Sequence, residues 1–167
     1  MGELSTRSES NVLRPMVLAD VDDVVLVQES GAVRGLIEVF PQDQHPFPRD
    51  QVADDWRREV VDPRIACYAV IDDDRIAGFA ATRGNELLHF GIDVRLWGHG
   101  LATTAHDAVM VRLRSEGHDH AWLNVFTANR RARRFYEKLG WQATGERTLS
   151  AFAPHPELLR YGRSSLL

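Results

Sequence analysis

The sequence predicts a single α+β domain: a central, mostly antiparallel mixed sheet of six to seven strands flanked by about four helices. Three observations carry this prediction. The chain has 167 residues, 44% hydrophobic and 26% charged, which is ordinary globular usage and enough for one core but short for two. Short apolar runs of β type follow one another, separated by turn residues. In the second half, strand-like runs alternate with helix-like ones, and two such strand–helix units would set strands side by side in parallel there.

The elements follow in order. Residues 1–10, "MGELSTRSES", are polar and are expected to be loose, so the domain is expected to span 11–167. "NVLRPMV" reads as a first strand. Asp20 stands as an N-cap for "VDDVVLVQES", with acidic residues in the first turn where the helix dipole favours them. "FPQDQHPFPRD" carries three prolines and cannot be regular helix. From Asp50 onward, "DQVADDWRREVV" is amphipathic, with Val52, Trp56 and Val60 at a spacing of four. "IACYAVID" and "RIAGFAATRG" form a strand–turn–strand pattern around the aspartates, and "LLHFGIDV" is a third such run. "LATTAHDAVMVRLRSEG" is a helix ending at Gly117. "HAWLNVF" is a strand, "NRRARRFYEKLG" a helix closed by Gly140, and "WQATGERTLS" and "LLRYGRSSLL" complete the sheet.

Composition narrows function. The only cysteine, Cys67, excludes an intrachain disulfide and a Cys-rich metal site, and its place in an apolar run predicts a buried, inert thiol. Seven histidines occur without an HExxH pattern, so no metal cofactor is expected. A net charge of −4 provides no general attraction to nucleic acid or to an anionic membrane, and neither is expected as a partner. No apolar run approaches the ~18 residues of a membrane span and no signal-peptide pattern opens the chain, so a cytoplasmic protein is expected.

The stretch that carries chemistry is "DVRLWGHGLATTAHDAV". A strand runs into a turn with Gly98 and Gly100 and then into a helix. The first amides of a helix have no intrahelical acceptor, the dipole adds partial positive charge, and glycine admits an approaching anion. The pattern therefore fits a phosphate site, or a tight turn that needs glycine for its backbone angles alone. No GxxxxGK[ST] run exists, and in a GxGxxG frame the third glycine would fall at Thr103, so neither the P-loop nor the dinucleotide pattern applies.

A second segment, "NRRARRFYEKLGW", follows the strand "HAWLNVF". Together the two segments resemble the GNAT superfamily of acetyl-CoA-dependent N-acetyltransferases. "WGHGLA" fits the family's Gln/Arg-x-x-Gly-x-Gly/Ala loop, with Gly100 and Ala102 in the small positions and Trp97 in place of Gln or Arg. A competing frame, Arg95-x-x-Gly98-x-Gly100, fits the letters too. Asn129, Ala132, Tyr136 and Gly140 meet the family's later signature, with Trp141 replacing Phe.

The resemblance implies acetyl transfer from acetyl-CoA, as co-substrate, directly to a primary amine of a small molecule or of a protein N-terminus or lysine. The alternative is a non-catalytic acyl-CoA-binding sensor or scaffold of the same fold. It further implies that the coenzyme lies along Ile92 and Val94, over the turn of Trp97, Gly98, His99, Gly100, Leu101, Ala102 and Thr103, and against Asn129, Ala132 and Tyr136. His99 is expected to face solvent. Tyr136 would protonate the departing thiolate, or is a half-buried core tyrosine. Of the arginines Arg130, Arg131, Arg133 and Arg134, one or two would meet phosphates, or all form a solvated face; a basic RNA-reading helix is the third reading.

An amine acceptor lies ~3 units below its pKa at neutral pH, so freeing it costs roughly 4 kcal/mol and a general base helps. The family often places a Glu at the start of the strand before the phosphate loop, and Glu86 stands there, eleven residues before Trp97, as that base or as a solvated strand-end carboxylate. His89, of opposite strand parity to Glu86, and then Asp93 are the next candidates. His45, amid the prolines, is a candidate for the acceptor pocket. In the family a bulge splays this strand from the next; Gly91 suits that bulge, and the Ile92 amide is assigned to the developing oxyanion. The resemblance leaves a homodimer open.

Overall fold

The computed structural model describes residues 12–166. Residues 1–10 and Asn11, the start of the expected first strand, lie outside them. The elements are β1 (Leu13–Pro15), α1 (Val21–Gly35), α2 (Arg49–Val61), β2 (Ile65–Asp72), β3 (Arg75–Arg83), β4 (Glu86–Ile92), α3 (Leu101–Ser115), β5 (Ala121–Phe126), α4 (Arg130–Lys138), β6 (Gln142–Leu149) and β7 (Glu157–Arg163). Short 3-10 turns precede α1 (Leu18–Asp20) and follow β4 (Val94–Leu96).

The seven strands form one sheet in the order β1-β2-β3-β4-β5-β7-β6. Every pairing is antiparallel except β4 with β5. Only one of the two expected strand–helix units therefore yields a parallel neighbour. β7 inserts between β5 and β6 and takes the edge of β5 that a second parallel crossover would have used.

Helices cover both faces. One layer of core joins Val21, Val24 and Val25 of α1 with Val52 and Trp56 of α2 over Phe79 and Ala81 of β3. The other joins Val109 and Leu113 of α3 and Tyr136 of α4 with Leu87, Ile92, Leu123 and Tyr161 of the sheet. Val52 and Trp56 are buried as their spacing predicts. α1 continues past Ser30 to Gly35, and the Asp20 carboxylate does not cap it. That carboxylate instead accepts from Arg14 (2.9 and 3.1 Å) and from the Val17 N–H (2.9 Å), and the Arg14 guanidinium holds its pKa down.

Both sheet edges are modest. β1 has three residues and includes Pro15. β6 is exposed along its length, and its pairing with β7 breaks between Ala143 and Arg147.

Candidate functional site

The site begins where two parallel strands stop pairing. β4 and β5 share one registered pair, Glu86 with Trp122, at the start of both strands, with the Trp122 N–H also donating to Asn85 O at 3.2 Å. Beyond that vertex the strands diverge. The gap opens into a cleft of about 1040 Å³ lined along β4 from Leu87 to Ile92 and along β5 from Leu123 to Phe126. Strand edges are polar, so a splay of this kind leaves main-chain donors and acceptors facing the gap.

Those groups can be assigned. The Asp93 N–H donates to Ala77 O of the neighbouring strand at 2.7 Å. In an antiparallel ladder alternate residues point the other way, so the main-chain groups of Phe90 and Ile92 face β5. The Ile92 carbonyl confirms this direction by accepting the Trp97 indole N–H at 2.9 Å.

The expected bulge exists but lies elsewhere. Ala81 pairs with His89 and Thr82 with Leu87, leaving Leu88 as the extra residue. Gly91 is regularly paired with Phe79; its lack of a side chain has another cause, because a Cβ there would enter the Phe79 ring, 2.8 Å from Cε1 and 3.1 Å from Cε2. The bulge also reverses the parity argument against His89. Leu88 and His89 both face α1 and α2, where the imidazole lies 4.9 Å from the Trp56 ring. There His89 Nε2 meets the Glu59 carboxylate at 2.8 and 3.1 Å. A carboxylate only accepts, so a neutral His89 carries its proton on Nε2 and leaves Nδ1 as the base. Nδ1 has no hydrogen-bond partner among the described residues, and the half-buried His89 lines the cleft.

Glu86 is differently placed. It is buried at the vertex, outside the cleft lining, and Arg83 Nη2 lies 3.1 Å from each of its carboxylate oxygens. The structure does not bring it to the open gap. Asp93 is tied up too: it accepts from the Arg95 N–H and guanidinium, and the hydrogen bond from that guanidinium keeps its pKa low.

Tyr136 lines the cleft from α4, next to Ala132 and Asn129. Burial raises the pKa of its phenol, so it stays protonated at neutral pH. Its hydroxyl has no hydrogen-bond partner among the described residues, while its ring packs edge-on to Phe135 and Trp141. Asn129 is the N-cap of α4 and its Oδ1 accepts from the Ala132 N–H at 3.1 Å, which leaves its amide NH₂ for a ligand.

The glycine turn adjoins this cleft. Gly98 and Gly100 have φ of 84° and 81°, the left-handed region, and nothing approaches within 4 Å of where their Cβ atoms would stand. The turn is thus shaped for glycine and open above. The Thr104 N–H donates to Gly100 O at 3.1 Å, and the preceding amides of Leu101, Ala102 and Thr103 have no helical acceptor. Trp97 and Ala102 line the cleft; Val94, Gly98, His99, Gly100, Leu101 and Thr103 do not, and His99 is exposed.

The α4 arginines separate by role. Arg133 donates to Tyr161 Oη and Thr127 O at 3.0 Å each and braces the fold. Arg131 stacks 3.7 Å from the Trp97 ring centroid, Arg134 lines the cleft, and Arg130 is exposed. His45 lines the cleft. Cys67 is buried, and desolvation pushes its thiol up to about 12, which removes it as a nucleophile.

The sequence and the fold have counterparts in known proteins. The sequence signature of the acetyltransferase (GNAT) family matches residues 24–141. The chain belongs to that family. Among curated relatives, an uncharacterized N-acetyltransferase of Mycobacterium tuberculosis is 34% identical over 101 residues, 58% of this chain and 65% of the relative's length. The same fold occurs in a GCN5-related N-acetyltransferase from Rhodopseudomonas palustris (TM-score 0.74, 15% identity, 91% of this chain and 94% of that one). It occurs also in the PaiA N-acetyltransferase from Thermoplasma acidophilum, solved in complex with coenzyme A (TM-score 0.67, 15% identity, 91% and 97%). This GNAT chain carries no helix, among its described residues, that is long and apolar enough to cross a membrane. Nor do those residues hold a cluster of three or more His, Cys, Asp or Glu that could bind a metal.

Proposed function

We propose that this GNAT protein transfers the acetyl group of acetyl-CoA directly to a primary amine. The observation that carries the reading is the splay between β4 and β5, a cleft that adjoins an open glycine turn at a helix N-terminus and is lined by an unpartnered, protonated Tyr136. The chain fits the coenzyme on its own chemistry. The free amides of Leu101, Ala102 and Thr103 suit pyrophosphate oxygens, Arg134 and Arg131 add positive charge, and Ala132 keeps the wall of α4 shallow. Asn129 and the main chain of Phe90 offer hydrogen bonds to an amide-bearing arm.

Acetyl-CoA, when bound, supplies an activated thioester carbonyl. The chain's groups then divide the work. His89 Nδ1 takes the proton from the acceptor ammonium while Glu59 holds Nε2–H and steadies the imidazolium. This assigns to His89 the role the sequence points to in Glu86, which from its buried vertex would need a water relay. The amine nitrogen bonds to the carbonyl carbon, and the Ile92 N–H stabilises the charge that develops on oxygen. As the carbon–sulfur bond breaks, Tyr136 gives its proton to the leaving sulfur, and the phenolate recovers a proton from the nitrogen, which still carries two after attack, directly or through water. The products are the N-acetyl amine and the free thiol of coenzyme A.

Amine-dependent release of that thiol tests the reading. Tyr136→Phe keeps the ring packing and deletes the acid, and should lower kcat toward the low end of the ~10²–10⁴ range, since a thiolate leaves readily. Acetyl-CoA affinity should hardly change. Acetyl-CoA binding with no thiol release from any amine would instead identify a sensor or scaffold.

A further inference from the structure

The walls of the cleft specify more than the reaction. None of its lining residues is aspartate or glutamate. The cations that line it, Arg131, Arg134 and Lys138, all belong to α4. The lining contributed by α1, the 36–48 connection and the 150–156 loop carries no Asp, Glu, Lys or Arg and is rich in aromatic rings. Phe40 and Phe126 meet edge-on with centroids 5.4 Å apart, and Phe47 and Phe152 also line the cleft.

Two of the polar side chains here are engaged within the fold. Gln42 donates to Phe40 O at 2.9 Å and accepts from the Phe47 N–H at 3.1 Å, which pins the connection in place. Gln28 accepts the Trp56 indole N–H at 2.7 Å. The Glu59 carboxylate beside the cleft is already committed to His89.

We propose that the acceptor is a primary amine on an uncharged, largely aromatic body, an arylalkylamine, and not a polyamine or aminoglycoside. This rests on the acetyl-transfer reading above. A second ammonium drawn into the cleft would lose water without gaining a carboxylate. An aromatic body removes apolar surface from water against Phe40, Phe126 and Phe152 and adds edge-to-face ring contacts. Its single amine needs only the path to His89.

The test is coenzyme A thiol release by the full chain with acetyl-CoA and, separately, 2-phenylethylamine, spermidine, kanamycin and a short peptide with a free N-terminus. The kcat/KM for 2-phenylethylamine should exceed each of the others by at least ~10-fold. Gln44→Glu places a carboxylate on the neutral side, at a position outside the catalytic groups, and should narrow the ratio of 2-phenylethylamine to spermidine. A preference for spermidine, kanamycin or the peptide overturns this proposal while leaving acetyl transfer intact, and an unchanged ratio in Gln44→Glu overturns the charge argument. Thiol release from no amine at all, with acetyl-CoA still raising Tm, overturns the transfer reading and this proposal with it.

Discussion

Gly91→Ala isolates the contact that supports the splayed strand. The added methyl would enter the face of the Phe79 ring, with Cε1 at 2.8 Å and Cε2 at 3.1 Å, well inside van der Waals contact. The ring has little room to retreat. It lies edge-on to Trp56, centroid to centroid 5.6 Å, and Trp56 is itself buried and anchored to Gln28. Overpacking of this kind costs ~1–3 kcal/mol. At ~2–4 °C per kcal/mol for a chain of this size, Tm should fall by ~2–12 °C. Urea unfolding of the single variant, of Phe79→Leu and of the pair closes a double-mutant cycle. The smaller leucine should relieve the clash, giving a favourable coupling of ~0.5–3 kcal/mol. Displacing β4 at Gly91 also moves the adjacent Ile92 amide, so turnover should drop further than acetyl-CoA binding. A Gly91→Ala protein within ±0.5 kcal/mol of the parent, or an equal penalty in the Phe79→Leu background, would refute the reasoning.

Three further outcomes are expected. Gly100→Asp combines a strained left-handed backbone with a carboxylate where an anion belongs, and should abolish the rise in Tm that acetyl-CoA produces in the parent, as followed by differential scanning fluorimetry. His89→Gln should shift the rising limb of the pH–rate profile toward the amine's own pKa, with partial rescue at high pH, whereas Glu86→Gln should leave that limb in place; the reverse pattern restores Glu86 as the base. His106 is fully buried, accepts the Trp141 indole N–H on Nε2 at 2.9 Å, and has its pKa lowered by desolvation. Its contribution to stability is complete above the unfolded value of 6.5 and is lost as pH falls through the folded pKa, because only the unfolded chain takes the proton readily. One proton sets a ceiling of ~1.4 kcal/mol per pH unit on the slope, and denaturant titrations of His106→Gln should show a flatter dependence than the parent.

Local pattern makes much of this fold legible. β2 and β3 stand where apolar runs bracket the aspartates, α2 buries the Val52 and Trp56 stripe, Gly98 and Gly100 are marked by the strand–turn–helix pattern, and Asn129 and Tyr136 by the resemblance to the family signature. What escapes is decided by partners far along the chain. The bulge at Leu88 leaves no glycine or proline signal of its own, because it arises from how β4 registers on β3; Gly91 attracts attention for a reason that belongs to the Phe79 ring. The His89–Glu59 pair joins residues thirty apart, and regular alternation turns His89 to the wrong face until the bulge is known. Likewise, nothing local to β7 says that it enters between β5 and β6.

The two outermost strands bear on how the molecule behaves in company. A free sheet edge is a template, a row of donors and acceptors on which a neighbouring chain can lay down a strand. At one border the template is three residues long and Pro15 contributes no N–H. At the other, the register break between Ala143 and Arg147 interrupts β6, and charged side chains flank the interruption. Neither border offers the long, flat, continuous row that recruitment requires, so the sheet is self-limiting. At high concentration this protein should resist growth into fibrils, and copies that do associate will meet through side chains rather than through a shared backbone ladder.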